Sequence, residues 1–320
     1  MKFVTYIHDD APRLGALRAG RIIDLAAAAS SSEVANLFRD MLSLIRAGAI
    51  GLHHARRLLE TAPGMAALDP SGIRLLSPLP IPEQVRCFSA FEEHARNSSQ
   101  VMLKKMAALA EDPESEAARL RASGNFNVPR LWYERPLYYK GNRFNWVGTD
   151  NDIHWPAYSQ SIDYELELAC IIGTTGRDIP KDDASNHIFG YAVCNDLSAR
   201  DMQAIEMRAP LGPAKGKDFD GGNVLGPAIV TPDEINPYAL TGFVRVNGEE
   251  WGRSSSSGMH HRFEDMIAYV SQSETLHAGE IFLSGCFGAG SAMEIGRSVP
   301  RGAVLELEIE NLGVLKNRIV

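Results

Sequence analysis

The sequence predicts an α+β protein, mainly β, in which a small N-terminal α+β domain precedes a larger β-rich one. Three observations carry this. From residue 130 onward, short apolar runs alternate with Gly, Pro and Asn-Gly turn signals, the mark of successive strands. Helical periodicity is confined to a few segments. Between the two regions, "LLSPLPIPEQV" crowds three prolines together, which places a boundary near residue 80 and divides the chain into 1–80 and 81–320. A chain of 320 residues, 45% hydrophobic and 22% charged, can bury a sizeable core.

In chain order, "KFVTYI", "RLGALR" and "RIIDLA" predict an antiparallel meander over residues 1–28. Ser30 and Glu33 have capping-box spacing, and Val34, Leu37, Phe38, Met41 and Ile45 follow at helical period, with Gly48 as the stop. "HHARRLLETA" predicts a second helix. After the boundary, "RCFSAFEEHARNSS" is a strand running into a polar turn. Residues 98–122 are helix-prone, charged and broken by Pro113, and read either as a lid beside a site or as a solvated helix pair. Strands follow in "RPLYYKG", "DYELELACIIG", "IFGYAVCND", "GPAIVTP", "TGFVRVNGEEWG", "GEIFLSG" and the C-terminal "GAVLELEIENLGVLKNRIV". One amphipathic helix over residues 262–274 carries Phe263, Met266, Ile267 and Val270.

The formal net charge of -8 argues against nucleic acid as the main partner, since phosphate binding requires a basic surface. The N-terminus lacks a signal-peptide pattern, and no apolar run is long enough to span a membrane. Cys87, Cys170, Cys194 and Cys286 are far apart and form no C-x-x-C pair, which predicts buried reduced thiols in a cytoplasmic protein.

In "DYELELACIIG", Asp163, Glu165 and Glu167 alternate with Tyr164, Leu166 and Leu168. A strand therefore presents three carboxylates on one face, about 6.7 Å apart. Two charges at that distance repel by roughly 2.5 kcal/mol at an effective dielectric near 20, and by roughly 0.6 kcal/mol in water. Three answers are open: a solvated outer face, arginine partners from a neighbouring strand, or a hard divalent cation such as Mg²⁺, which takes oxygen ligands. Asp196 closes the strand "GYAVCND", where it is either a helix N-cap or a third carboxylate for a cation. The stretch Gly212–Lys217 approaches a Walker A loop, but Asp218 replaces Ser/Thr and no helix signal follows, so a P-loop is rejected.

At these residues the sequence resembles the fumarylacetoacetate hydrolase family. The matching pieces are "DYELELACIIG", "GYAVCNDLSARDMQ", "LGPAKGKDFDGGNVLGP" and "LHAGEIFLSG" with the C-terminal strands, in the family's order over residues 80–320. The resemblance implies a mixed β-roll catalytic domain, a homodimer, and one Mg²⁺ or Mn²⁺ (or Ca²⁺) held by Glu165, Glu167 and Asp196. It leaves Asp163 outside the ligand set, as a structural acid anchoring a neighbouring loop. It implies Lys217 as the substrate-side lysine, and Arg200 and Gln203 as residues lining the site. The family's T-G-T-P substrate turn reads Ser284-Gly285-Cys286-Phe287 here, which puts Gly285 and Cys286 against the substrate and departs from the usual chemistry. A tyrosine of one branch is Met207, so a more apolar pocket is expected.

The resemblance also implies that His94 activates water. Histidine suits that work as a residue type and needs an orienting acid. One branch supplies the acid three residues later, where this chain has Asn97. Another supplies it from the C-terminal strand, which matches Glu306, with Glu308 as a rival. The implied function is hydrolytic C–C cleavage of a 1,3-dicarbonyl or acylpyruvate-like small molecule. Decarboxylation or isomerisation of a keto acid at the same metal-enolate site is the alternative, and a catalytically silent ligand-binding protein a further one.

Overall fold

Apolar alternation in the first residues builds three strands, β1 (Lys2–His8), β2 (Ala11–Arg18) and β3 (Arg21–Asp24), in a computed structural model that describes residues 1–61, 66–209 and 211–320. After one helical turn at Leu25–Ala28 come two further helices, α1 (Ser32–Asn36) and α2 (Met41–Thr61). The chain then forms β4 (Val85–Phe88), α3 (Glu92–Ala107), α4 (Pro113–Ala122) and β5 (Tyr138–Lys140). The central strands are β6 (Leu166–Ile172), β7 (Ile188–Asp196) and, after the short helix α5 (Arg200–Glu206), β8 (Asn223–Val230). The hairpin β9 (Thr241–Val246) and β10 (Glu249–Ser255) precedes α6 (Phe263–Val270), β11 (Ile281–Leu283), β12 (Val304–Ile309) and β13 (Gly313–Ile319).

The larger sheet runs Ala67–Leu68, β3, β2, β1, β8, β7, β6, β11, β4, β5, with Trp146–Val147 paired to β8. It is mixed: β11 and β4 are parallel, whereas β6, β7 and β8 are antiparallel neighbours. The smaller sheet runs β10, β9, β12, β13 and then Asp152–Ile153. β6 lies between two cores, and its alternation decides which residue enters which. Leu166, Leu168, Cys170 and Ile172 face a core shared with α6 and with β9, β12 and β13 of the smaller sheet. Ala169 and Ile171 face a second core shared with Phe3, Leu14 and Ala16 of the meander and Leu44, Ile45 and Ala55 of α2. Each fully buried Leu or Ile contributes roughly 1.5–3 kcal/mol, so the strand is fixed in register from both sides.

The N-terminal segment is tied directly to this framework. β1 pairs with β8 at Lys2–Val230 and Phe3–Ile229, and residues on both sides of position 80 share the second core. Gly48 behaves differently from the expected helix stop. Its backbone turns to φ 53°, ψ -132°, and the helix resumes at once, so α2 is two helices meeting at a kink. Ser31, not Ser30, caps α1, accepting from the Val34 N–H at 3.3 Å, and Asp40 caps α2 by accepting from the Ser43 N–H at 2.7 Å. The expected second helix is described to Thr61, and Ala62 lies outside the described residues. Segment 98–122 forms the end of α3, a turn capped by Asp112, and α4. The two helices close over Leu103, Ala107 and Leu120. The Asn247-Gly248 turn of the β9–β10 hairpin has both residues at positive φ, the geometry that Asn-Gly favours.

Asp24 pins the end of β3 to the meander. Its buried carboxylate accepts from the Tyr6 hydroxyl at 2.6 Å, Arg13 Nη2 at 3.0 Å and the Ala27 N–H at 2.8 Å. Burial acts to raise its carboxyl, but the bonds from Arg13, Tyr6 and Ala27 outweigh burial and hold it below the usual range. Asp24→Ala leaves the buried Tyr6 hydroxyl unpaired and is expected to cost about 2–3 kcal/mol at neutral pH. Because the folded-state pKa is depressed, this contribution is present above the unfolded value of about 3.9 and is lost as pH falls through the lower folded one. Urea unfolding of both proteins should show the deficit at pH 7 and a shrinking deficit below about pH 4.

Candidate active site

Asp163, Glu165 and Glu167 are 3%, 6% and 2% exposed, which removes the solvated-face reading of their strand. Each carboxylate has a different answer to its burial. Asp163 accepts from Arg200 Nε at 2.8 Å and from the Ala292 and Met293 N–H groups at 2.9 and 3.2 Å, so it anchors the loop after β11. Glu165 accepts from Arg200 Nη1 and Lys217 Nζ, both at 2.7 Å. Glu167 accepts from the Gly285 N–H at 3.0 Å. Arg200 opens α5 rather than sitting on a neighbouring strand.

Asp196, at the end of β7, is brought beside Glu165 by the antiparallel pairing of β6 and β7, with its N–H donating to the Glu165 carbonyl at 3.1 Å. It caps no helix. Its Oδ2 accepts from Lys217 Nζ at 2.7 Å and from the Tyr139 hydroxyl at 2.8 Å, while its Oδ1 is buried without a hydrogen-bond partner. Glu165, Glu167 and Asp196 each bring an oxygen to within 4.8 Å of the others.

The electrostatics follow from these contacts. Burial pushes Glu167 well above the ordinary carboxylate range, and the charges of Asp196 and Glu165 add to the shift. Burial, with Glu165, also raises Asp196 in spite of Lys217. Burial would raise Glu165 too, but Lys217 and Arg200 outweigh it and hold that carboxyl down. The ammonium of Lys217 resists its own burial because Asp196 and Glu165 hold it charged. Four buried carboxylates (Asp163, Glu165, Glu167, Asp196) face two buried cations (Arg200, Lys217), which leaves a formal deficit of two positive charges. An all-oxygen donor set, an orphaned Asp196 oxygen and this deficit fit a hard divalent cation such as Mg²⁺ or Mn²⁺.

His94 lies in the first turn of α3, with Nε2 3.9 Å from Glu165 Oε1. The acid placed against its other ring nitrogen is Glu294, whose Oε2 meets His94 Nδ1 at 2.8 Å. Glu306 does not serve. It sits on β12 in the smaller sheet, where Lys316 Nζ takes its carboxylate at 3.1 Å, and Glu308 is likewise paired with Arg245 at 2.8 Å. Glu294 is held by Ser291 Oγ at 2.8 Å, the Ala289 N–H at 3.0 Å and Asn97 Nδ2 at 3.3 Å. Burial acts to raise its carboxyl, but the bonds from His94, Ser291 and Ala289 keep it below the usual range. Asn97 thus supports the acid from the position where an acid would otherwise stand.

These groups open on one cavity of about 380 Å³, lined by His94, Glu165, Glu167, Asp196, Gln203, Lys217, Gly285 and Cys286 among others. Gly285 has φ 83°, and an added Cβ there would meet the Phe88 carbonyl oxygen at 2.5 Å, so this turn requires glycine. Arg200 departs from its expected place against the substrate. It is not among the lining residues, because Asp163, Glu165 and Gln203 Oε1, at 3.0 Å, take up its guanidinium from behind. Tyr139 and Glu294 were not singled out in the sequence. All four cysteines are free and buried, and among the described residues no helix is long and apolar enough to cross a membrane.

The family model for the fumarylacetoacetate (FAA) hydrolase C-terminal domain matches residues 85–320. The chain belongs to the fumarylacetoacetate hydrolase family. Among its relatives, the mitochondrial oxaloacetate tautomerase FAHD2A of Bos taurus is 31% identical over 304 residues, 94% of this chain and 84% of that protein. The Xenopus laevis oxaloacetate tautomerase fahd2, also named as mitochondrial, is 31% identical over 327 residues, 100% of this chain and 90% of its own length. The fumarylacetoacetate hydrolase structure from psychrophilic Exiguobacterium antarcticum has a TM-score of 0.73 at 26% identity, covering 100% of this chain and 99% of that one. The family is one of enzymes, with tautomerases and hydrolases among these named members.

Cation binding at the carboxylates would have a consequence for stability. A ligand bound only by the folded state, present at 100 times its dissociation constant, adds about 2.7 kcal/mol. Thermal unfolding with Mn²⁺ at that excess should therefore show a raised Tm, and Glu167→Gln should abolish most of the increase.

Proposed function

We propose that this chain catalyses keto–enol proton transfer on a small oxo acid with a 1,3-dicarbonyl system. The observation that carries the reading is the His94–Glu294 pair, one ring nitrogen fixed by a buried carboxylate and the other aimed at the cavity beside Glu165. Identity of 31% to oxaloacetate tautomerases over nearly the whole chain supports it.

Glu294 holds the ring in one orientation and balances its charge when it carries an added proton, as an orienting acid does for a catalytic histidine. In the keto-to-enol direction His94 Nε2 removes a proton from the carbon between the two carbonyls and the enolate oxygen takes a proton from solvent; in the reverse direction the enol oxygen gives its proton to solvent and His94 delivers one to the carbon. Lys217 keeps a charged ammonium between Glu165 and Asp196, where fixed positive charge stabilises an enolate oxygen as it develops. A divalent cation held by Glu165, Glu167 and Asp196 would supply Lewis-acid charge to the substrate oxygens.

Hydrolytic C–C cleavage is the second reading, favoured by the Ser98 hydroxyl 3.4 Å from His94 Nε2, a polar neighbour able to help hold a water against the base. In that reaction His94 takes a proton from water and the hydroxide adds to one carbonyl. The adjacent C–C bond breaks with its electron pair passing to the enolate, which is then protonated.

The test is enol absorbance of oxaloacetate, together with product mass for acylpyruvates, in the presence of Mg²⁺ or Mn²⁺. Accelerated keto–enol exchange without cleavage is the expected result, and release of pyruvate with a free acid would establish hydrolysis instead. His94→Ala should lower the rate by about 10²–10⁴-fold, the usual range for a lost acid–base group. Glu294→Gln should lower kcat with little change in KM. Unchanged exchange in His94→Ala would sink the reading.

A further inference from the structure

Among the described residues, two groups of three side chains bring metal-ligating atoms to within 4.8 Å of one another. One is Glu165, Glu167 and Asp196, with oxygen donors throughout. The other is His94, Cys286 and Glu294, which offers nitrogen, sulfur and oxygen. Glu294 Oε2 joins this second group, 2.8 Å from His94 Nδ1 and 3.9 Å from Cys286 Sγ. Tetrahedral zinc, with bonds of about 2.3 Å to sulfur and about 2.0–2.1 Å to nitrogen and oxygen, holds such donors about 3.3–3.6 Å apart. The two separations straddle that range, and shifts of about 0.5 Å would admit an ion. Ser291 Oγ and the Ala289 N–H already hold the Glu294 carboxylate, as the partners of a ligating acid do. His94 and Cys286 both line the cavity, which gives the ion a way in.

We infer that His94, Cys286 and Glu294 form a second metal site, selective for a thiophilic divalent cation such as Zn²⁺ or Cd²⁺, whose occupation switches off proton transfer at His94. The loss of proton transfer rests on the proposed role of His94, whereas the site itself rests on its donor set. Sulfur separates this group from the carboxylates. Mg²⁺ takes oxygen ligands, whereas thiolate selects softer metals. Binding takes Cys286 as thiolate, and its proton passes to solvent. The Nδ1 lone pair must face the ion, so the one proton of the neutral ring resides on Nε2. Base action in the cavity requires the opposite tautomer, with Nδ1–H donated to Glu294 and the Nε2 lone pair free. The ion therefore fixes the inactive tautomer and takes Glu294 from the ring in the same event.

Cd²⁺ titrated into the Mg²⁺-loaded protein tests this, because a cadmium–thiolate bond has an ultraviolet charge-transfer band and a cadmium–carboxylate bond has none. The band should saturate at one ion per chain. Enol exchange of oxaloacetate should fall by about 10²-fold or more, as for a lost acid–base group, and excess Mg²⁺ should not restore it. Cys286→Ser, and Cys286→Ala as a second replacement, should abolish the band. Each should raise the Cd²⁺ concentration for half-inhibition at least about tenfold, measured against its own uninhibited rate. Glu167→Gln should keep the band. Absence of the band, or its survival in both Cys286 variants, overturns the site; Cys87 is the other thiol lining the cavity, and Cys87→Ser would then identify it as the ligand. Recovery of exchange on adding Mg²⁺ also overturns the inference, since it puts the inhibiting ion on the carboxylates. A Cys286-dependent band with unchanged exchange leaves the site standing and overturns the switch, and the proposed base with it. Absence of exchange before Cd²⁺ is added sinks the proposed function alone, and the band still decides the site.

Discussion

Arg200, wedged between Asp163 and Glu165, is the interaction on which the site depends. β6 is packed on both faces, so the acids leading into it cannot turn to water. Buried carboxylates without counter-charge would protonate or force the strand open. Arg200 meets two of them with one guanidinium and joins two parts of the site in doing so. Through Glu165 it touches the cation-binding carboxylates. Through Asp163 it reaches the N–H groups of Ala292 and Met293, the residues just before Glu294. Removal of Arg200 would therefore disturb the Glu165–Glu167–Asp196 cluster and the Glu294–His94 contact together, although Arg200 does not line the cavity.

Much of this was legible in the sequence because it depends on regular elements. Alternation over "DYELELACIIG" identifies the face that carries Glu165 and Glu167, and a strand ending at Asp196 supplies the third acid. Glu294 was not legible for a physical reason. It lies in the irregular chain between β11 and β12, held by contacts to Asn97 and His94 about 200 residues away, and such a position carries no periodicity. Glu306 attracted attention because alternation in "VLELEI" is easy to read. The same alternation puts it on the partly exposed face of the smaller sheet, within reach of Lys316. Tyr139 was read as one residue of a strand, and only the packing of β5 against β4 reveals that its hydroxyl reaches Asp196.

The first 80 residues illustrate the same limit at larger scale. Their elements follow from local signals, but their attachment does not. The pairing of β1 with β8 joins residues more than two hundred positions apart, and nothing in either strand names the other. A glycine such as Gly48, at the end of helical periodicity, signals a stop because helices commonly end on a residue with left-handed backbone. Here Leu44 and Ile45 before it and Ala55 after it enter one core, so packing outweighs the break and both halves remain helical.

The site divides its tasks between rigid and irregular parts of the fold. Glu167 and Asp196 come from the adjacent, paired strands β6 and β7, and Glu165 stands just before β6, so register fixes their separation. His94 comes from the first turn of a helix and Glu294 from a loop, both outside the central sheet. Substitution in the helix or loop can therefore change what is protonated without altering how oxygen atoms are gathered. In both proposed reactions, enolate stabilisation falls to Lys217, which lies in the loop before β8 and is held by Glu165 and Asp196. In the proposed reactions, whether His94 meets carbon or water falls to the helix that carries it, the loop that carries Glu294 and the cavity wall around them.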